Sequence, residues 1–201
     1  MIKAVIFDYG GVVIKILPDL EYEQIFADAF GVSLAEFQKI LPPFFRQLDL
    51  GLPEKKFWPL ISEAFKKPVP KNADKIFVEP FLKALVFYSE IFDLVRKLKQ
   101  KGIKTAVLST NMETQERLIR ERHGYDDFDV VVLSNSVGLR KPDPEIYKLT
   151  VQKLKVKYTE CLFIDDNEVN LFPAEKLGMK TILAKNPRQV VKDILKVLPQ
   201  V

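Results

Sequence analysis

Apolar residues along this chain recur with two different spacings. Short runs of strand length occur at Lys3 to Phe7, Lys104 to Leu108, Val130 to Leu133, Cys161 to Ile164 and Lys180 to Leu183. Between them, helical spacing marks Glu90 to Lys101, Thr114 to Arg122, Pro144 to Lys155, Val169 to Leu177 and Pro187 to Leu198. Strand and helix in alternation predict an α/β fold, a doubly wound parallel sheet covered by helices. Gly102 and Gly178 stand where helix C-termini favour a residue tolerant of left-handed backbone.

Residues 15–88 break the alternation, because their pattern is helical without strands: Asp19 to Phe30, Ser33 to Leu41, Glu54 to Phe65 and Lys71 to Phe87. Ser33 with Glu36 forms a capping-box pattern, Gly31 and Pro42 bound that helix, and Pro53 suits the first position of the next. The organisation expected is an α/β core of residues 1–14 and 89–201, with a small helical cap of residues 15–88 inserted after the first strand. The aromatics Phe44, Phe45, Phe57 and Trp58 are expected in the cap core, some of them shaping a pocket.

The chain's 201 residues can bury a full core without a staple, and the single cysteine, Cys161, lies in an apolar run where it cannot pair internally. That usage points to a reducing, cytoplasmic setting. No apolar run reaches the length of a membrane span, and the first residues show no signal-peptide pattern. The formal charge of +4 is spread over helical segments such as Arg96 to Lys101, which reads as a solvated face and argues against nucleic acid as partner. A monomer and a homodimer are both compatible with this composition.

Four polar clusters follow successive strands. Asp8 ends the first and is followed by Gly10 and Gly11; a carboxylate there lies at the C-terminal edge of the sheet, where open parallel sheets bind ligands. Ser109, Thr110 and Asn111 end the second strand before a helix, with donors suited to phosphate oxygens. Lys141 lies in a loop stiffened by Pro142 and Pro144, positioned to neutralise a phosphate and a carboxylate together. Asp165 and Asp166 end the fourth strand, and adjacent carboxylates near Asp8 call for a cation such as magnesium. Singly, each has a plain alternative as a turn or cap residue. His123, the lone histidine, reads as a surface or capping residue.

In this order the four clusters resemble the motifs of the haloacid dehalogenase superfamily of hydrolases over nearly the whole chain. Within it, Gly138 to Pro142 and Asp165 to Asn167 are most similar in wording to bacterial sugar phosphatases like α-D-glucose-1-phosphatase. The resemblance implies a Rossmann-like core and a magnesium-dependent phosphatase acting on a small phosphate ester. Asp8 would be the nucleophile that forms an aspartyl-phosphate. Mg2+ would be held by Asp8, the Gly10 carbonyl and Asp166, with Asp165 behind them, and Ser109, Thr110 and Lys141 would hold the phosphoryl oxygens.

One position departs from the family pattern. Family phosphatases usually carry an acid two residues after the nucleophile, where this chain has Gly10. Either the cap supplies the proton, with Asp49 in Leu48-Asp49-Leu50-Gly51 as candidate, or the substrate carries a good leaving group. Two other readings compete: a metal-independent 2-haloacid dehalogenase, which the Asp165-Asp166 pair opposes, and a non-catalytic binding or regulatory module that kept the fold.

Overall fold

Among the described residues, 1–15 and 19–201 of the computed structural model, five strands form one parallel sheet. They are β1 (Ala4–Phe7), β2 (Lys104–Ser109), β3 (Val130–Leu133), β4 (Cys161–Asp165) and β5 (Lys180–Leu183), in the order β3-β2-β1-β4-β5. The chain builds outward from β1 through β2 to β3, then crosses to β4 on the other side. The switch point therefore lies between β1 and β4, where Phe7 is in register with Ile164.

Alternation along β1 sorts the core into two layers. Val5 and Phe7 face Ile91, Leu94, Val95 and Leu98 of α6 (Ser89–Gln100) and Val190 and Ile194 of α11 (Pro187–Val197). Ala4 and Ile6 face Ile146, Tyr147 and Val151 of α9 (Pro144–Leu154) and Leu171 and Ala174 of α10 (Glu168–Lys176). All four residues of β1 are fully buried, so the strand is held from both sides and its end is a rigid place for Asp8. Gly102 and Gly178 have φ of 72° and 91°, as helix ends require.

Between β1 and α6 the chain forms α1 (Asp19–Phe30), α2 (Leu34–Ile40), α3 (Pro42–Asp49), α4 (Glu54–Phe65) and α5 (Ala73–Ala84). These helices share a hydrophobic cluster of their own in which Phe26 meets the rings of Phe37, Phe45, Trp58 and Phe77. Phe57 and Trp58 are buried there, while Phe44 and Phe45 are only partly covered. The sequence pattern placed no helix between Leu41 and Glu54, where α3 lies. Pro42, expected as a terminator, instead opens α3, because a proline at the first helical turn loses no needed N–H. Pro53 is the residue before α4 and not its first, and α5 ends three residues short of the expected Phe87.

The inserted helices dock on the core through paired helix starts. Glu54 at the start of α4 accepts from the backbone N (2.8 Å) and Oγ1 (2.6 Å) of Thr114 near the start of α7 (Glu113–Arg120). Glu113 in turn accepts from the Glu54 N–H at 3.1 Å. Each carboxylate thus serves the free amides of the other helix's first turn. Among the described residues no helix is long and apolar enough to cross a membrane.

Candidate active site

The end of β1 sets Asp8 beside the switch point: its N–H donates to the Ile164 carbonyl at 2.8 Å, which continues the ladder one residue beyond the strand. Its carboxylate Oδ1 accepts from the Tyr9 N–H at 2.6 Å and pairs with Lys141 Nζ at 2.7 Å. Lys141 reaches in from the loop after α8 (Ser134–Val137), and its Nζ also donates to Asp165 Oδ2 at 2.6 Å. Its side chain is only 2% exposed, so the ammonium is spent on these two carboxylates and not on solvent. Asp165 is fully buried, and its Oδ1 accepts from the Asn167 N–H and from Asn170 Nδ2, both at 2.9 Å.

Asp166 is exposed on the same rim, and ligand oxygens of Asp8, Asp165 and Asp166 all lie within 4.8 Å of one another. Gly11, with φ of 74°, makes this approach possible, because a Cβ there would overlap the Asp166 carboxylate. Three carboxylates against one ammonium leave the cluster negative. Burial lifts the Asp8 carboxyl above the usual carboxylate range; Lys141 pulls it back, while Asp165 and Asp166 push it up again. Burial draws Lys141 down, but Asp8 and Asp165 outweigh it and leave its pKa raised. The donor set suits a hard divalent cation: oxygens only, few carboxylates, and one of them, Asp165, already saturated by orienting hydrogen bonds.

Above these residues lies a cavity of about 840 Å³, roofed by the inserted helices and floored by the strand ends. Asp8, Gly10, Ser109, Thr110, Lys141 and Asp166 all line it. Every strand-end residue singled out from the sequence for chemistry is therefore in one place except Asp165, which sits behind as a support. Ser109 is buried and its Oγ makes only a long bond, 3.4 Å, to the Thr110 carbonyl. Asn111 also lines the cavity but is tied into the frame. Its N–H donates to Ser134 Oγ at 2.9 Å, and its Nδ2 donates to the Tyr125 hydroxyl at 3.0 Å. His123 is on the surface, paired with Asp126 at 2.8 Å, and is not part of the lining.

This arrangement of four strand ends has known counterparts. Residues 2–178 match the family described as haloacid dehalogenase-like hydrolase. The chain belongs to that family. An enzyme of the haloacid dehalogenase (HAD) family from Bacteroides thetaiotaomicron, solved in complex with magnesium and inorganic phosphate, shares the fold with a TM-score of 0.76 and 27% identity, covering 92% of this chain and 95% of that one. A phosphorylated carbohydrates phosphatase of Thermotoga maritima is 28% identical over 194 residues, 90% of this chain and 83% of that protein. The chain spans less than a fifth of the first curated relatives it matches. The bifunctional epoxide hydrolase 2 of Sus scrofa, for instance, is 36% identical over 107 residues, 50% of this chain and 19% of that one.

Two residues of this haloacid dehalogenase-like site were not anticipated as cavity walls. Arg140 was noticed only as the neighbour of Lys141, yet it lines the cavity and pairs with Asp49 Oδ2 at 3.2 Å. Arg46 lines it too, one turn before Asp49 on α3, the helix that the sequence pattern did not resolve.

Proposed function

We propose that this chain is a magnesium-dependent phosphatase that hydrolyses a small phosphate monoester, a sugar phosphate by class, through an aspartyl-phosphate on Asp8. The observation that carries the reading is the buried chain Asp8–Lys141–Asp165 at the floor of a large cavity, with Asp166 on its rim. Residues 15–88 act as the cap and residues 1–14 with 89–201 as the catalytic core. The Thermotoga relative, named for phosphorylated carbohydrates, supports the substrate class.

Asp8 Oδ1 is held by Tyr9 and Lys141, so Oδ2 is the oxygen presented to phosphorus. Asp8, the Gly10 carbonyl and Asp166 would hold magnesium, which would supply positive charge against the phosphoryl oxygens. Lys141 adds a second positive charge from the protein, and Ser109 and Thr110 offer donors from the end of β2. The aspartyl-phosphate then yields to water, which returns Asp8. A 2-haloacid would instead bring its own carboxylate to a cluster that already carries an excess of negative charge.

The test is phosphate release from a panel of sugar, alkyl and aryl phosphates, with magnesium and with chelator, beside halide release from 2-haloacids. Magnesium-dependent phosphate release is expected; halide release that persists in chelator would replace this reading. A second expectation separates the two acidic neighbours. Asp165→Ala lowers the thermal midpoint of the metal-free protein, because it strips Lys141 of one partner and orphans the Asn167 amide and Asn170 side chain. Asp166→Ala chiefly removes the rise in midpoint that magnesium chloride produces. Thermal unfolding of both variants, with and without magnesium, reads the difference; the reverse order would reassign the ligand.

A further inference from the structure

Breaking a phosphate ester requires a proton for the departing oxygen, and Gly10 has no side chain to give one. In-line attack by Asp8 from the floor of the cavity puts that oxygen on the opposite side of phosphorus, towards the inserted helices. Among the described residues the carboxyls lining the cavity are Asp8, Asp166, Glu23 and Asp49. Asp8 is the nucleophile and Asp166 faces the cation. Glu23 accepts from Gln38 Nε2 at 2.7 Å in an exposed hydrogen bond. Asp49 remains, on the roof side.

We propose that Asp49, presented from the end of α3, is the acid that protonates the leaving group and the base that then activates water. This rests on the phosphatase reading above. Three features of the chain place Asp49 for the task. Its Oδ2 is tethered at 3.2 Å to Arg140, the residue next to Lys141, and Lys141 holds Asp8. The turn that follows is pinned: Gly51 has φ of 96°, and a Cβ there would run into the backbone carbonyl of Asn135 at the start of α8. Finally, Arg140 itself lines the cavity, so the cation that tethers the Asp49 carboxyl is part of the wall a substrate meets.

The balance closes over two steps. The P–O bond to the alcohol breaks as the Asp8 oxygen bonds to phosphorus, and the Asp49 proton passes to the departing oxygen. Water then attacks phosphorus, the bond to Asp8 breaks, and Asp49 takes the water's proton, leaving inorganic phosphate. Burial raises the Asp49 carboxyl to about 6 and Arg140 opposes the rise, so both protonation states are accessible near neutrality.

The experiment compares wild type, Asp49→Asn and Asp49→Glu in magnesium, on glycerol phosphate and on p-nitrophenyl phosphate, whose leaving group needs no proton. Asp49→Asn should lower kcat/KM on the alkyl ester by about 10²-fold or more and on the aryl ester by less than about 10-fold. Asp49→Glu should recover part of the alkyl rate. Wild-type turnover of the alkyl ester should also fall as pH rises through the Asp49 range, a fall absent in Asp49→Asn. Arg140, the charged group in contact with Asp49, does not titrate there; Asp8, Asp166 and Lys141 share the cavity, so the variant and not the wild-type profile assigns the limb. Equal losses on both esters, or an unchanged alkyl rate, would overturn the proposal while leaving the phosphatase reading intact. A wild-type protein that releases phosphate from no member of the sugar, alkyl and aryl panel overturns both.

Discussion

Asp8→Asn should fold and yet release phosphate at no more than about 10⁻⁴ of the wild-type rate, since replacing a nucleophile that forms a covalent intermediate removes the pathway and not merely one contribution to it. The substitution is nearly isosteric at the end of a strand whose four residues are fully buried. The Asn side chain can still accept from the Tyr9 N–H through its amide oxygen. What it lacks is the charge. An amide is a poor nucleophile towards phosphorus and a weaker ligand for a divalent cation, and it no longer balances Lys141. Trapping by acid quench should find phosphate covalently bound to the wild type during turnover and none on the variant. Phosphate release from Asp8→Asn within about 10-fold of wild type, by protein with an ordinary thermal midpoint, would remove the covalent mechanism.

The sequence showed the floor of the site better than its roof, and the reason is physical. Asp8, Ser109 and Asp165 each end a short apolar run, and a buried parallel strand points its end to one edge of the sheet whatever the loops do, while Lys141 comes from the loop that follows α8. All five strands were legible for the same reason, as was the helical character of the insertion. The helix α3 was not, because Pro42 read as the end of the preceding helix, whereas a proline in a first helical turn loses no needed N–H and opens the next one. With α3 unassigned, nothing placed Arg46 and Asp49 on one helix beside the cavity. Asp49 was noticed only through its neighbour Gly51, and its pairing with Arg140 joins residues ninety-one positions apart through tertiary packing alone. The seam between Glu54, Glu113 and Thr114 was invisible for that reason too: each residue reads as an ordinary first-turn acid or hydroxyl until the two helix starts meet.

Lys141→Met should damage stability and turnover together. Nζ sits 2.7 Å from Asp8 and 2.6 Å from Asp165, in a side chain with almost no exposure, so methionine fills the slot and leaves two buried carboxylates without their counter-charge. Removing one partner of a buried ionic cluster typically costs about 3–5 kcal/mol. The loss should depend on pH in a definite direction. Burial already holds the folded Asp8 carboxyl above its value in the unfolded chain, with Lys141 as the main opposing influence. Such a group binds protons in the native state that it has released in the unfolded one, so stability falls as pH rises from the unfolded value towards the folded one. Without Lys141 the folded value climbs further and the window widens. The deficit of Lys141→Met relative to wild type should therefore be larger at pH 8 than at pH 5 in metal-free buffer. Magnesium chloride should recover part of it at pH 8, because a bound cation replaces some of the missing positive charge. Phosphate release should fall by about 10²- to 10³-fold even when magnesium restores the fold, since the charge facing the phosphoryl oxygens is still missing. A variant with the wild-type midpoint at pH 8 and undiminished turnover would show that Asp8 and Asp165 do not need Lys141, and the ion-paired floor of the site would lose its role in both folding and catalysis.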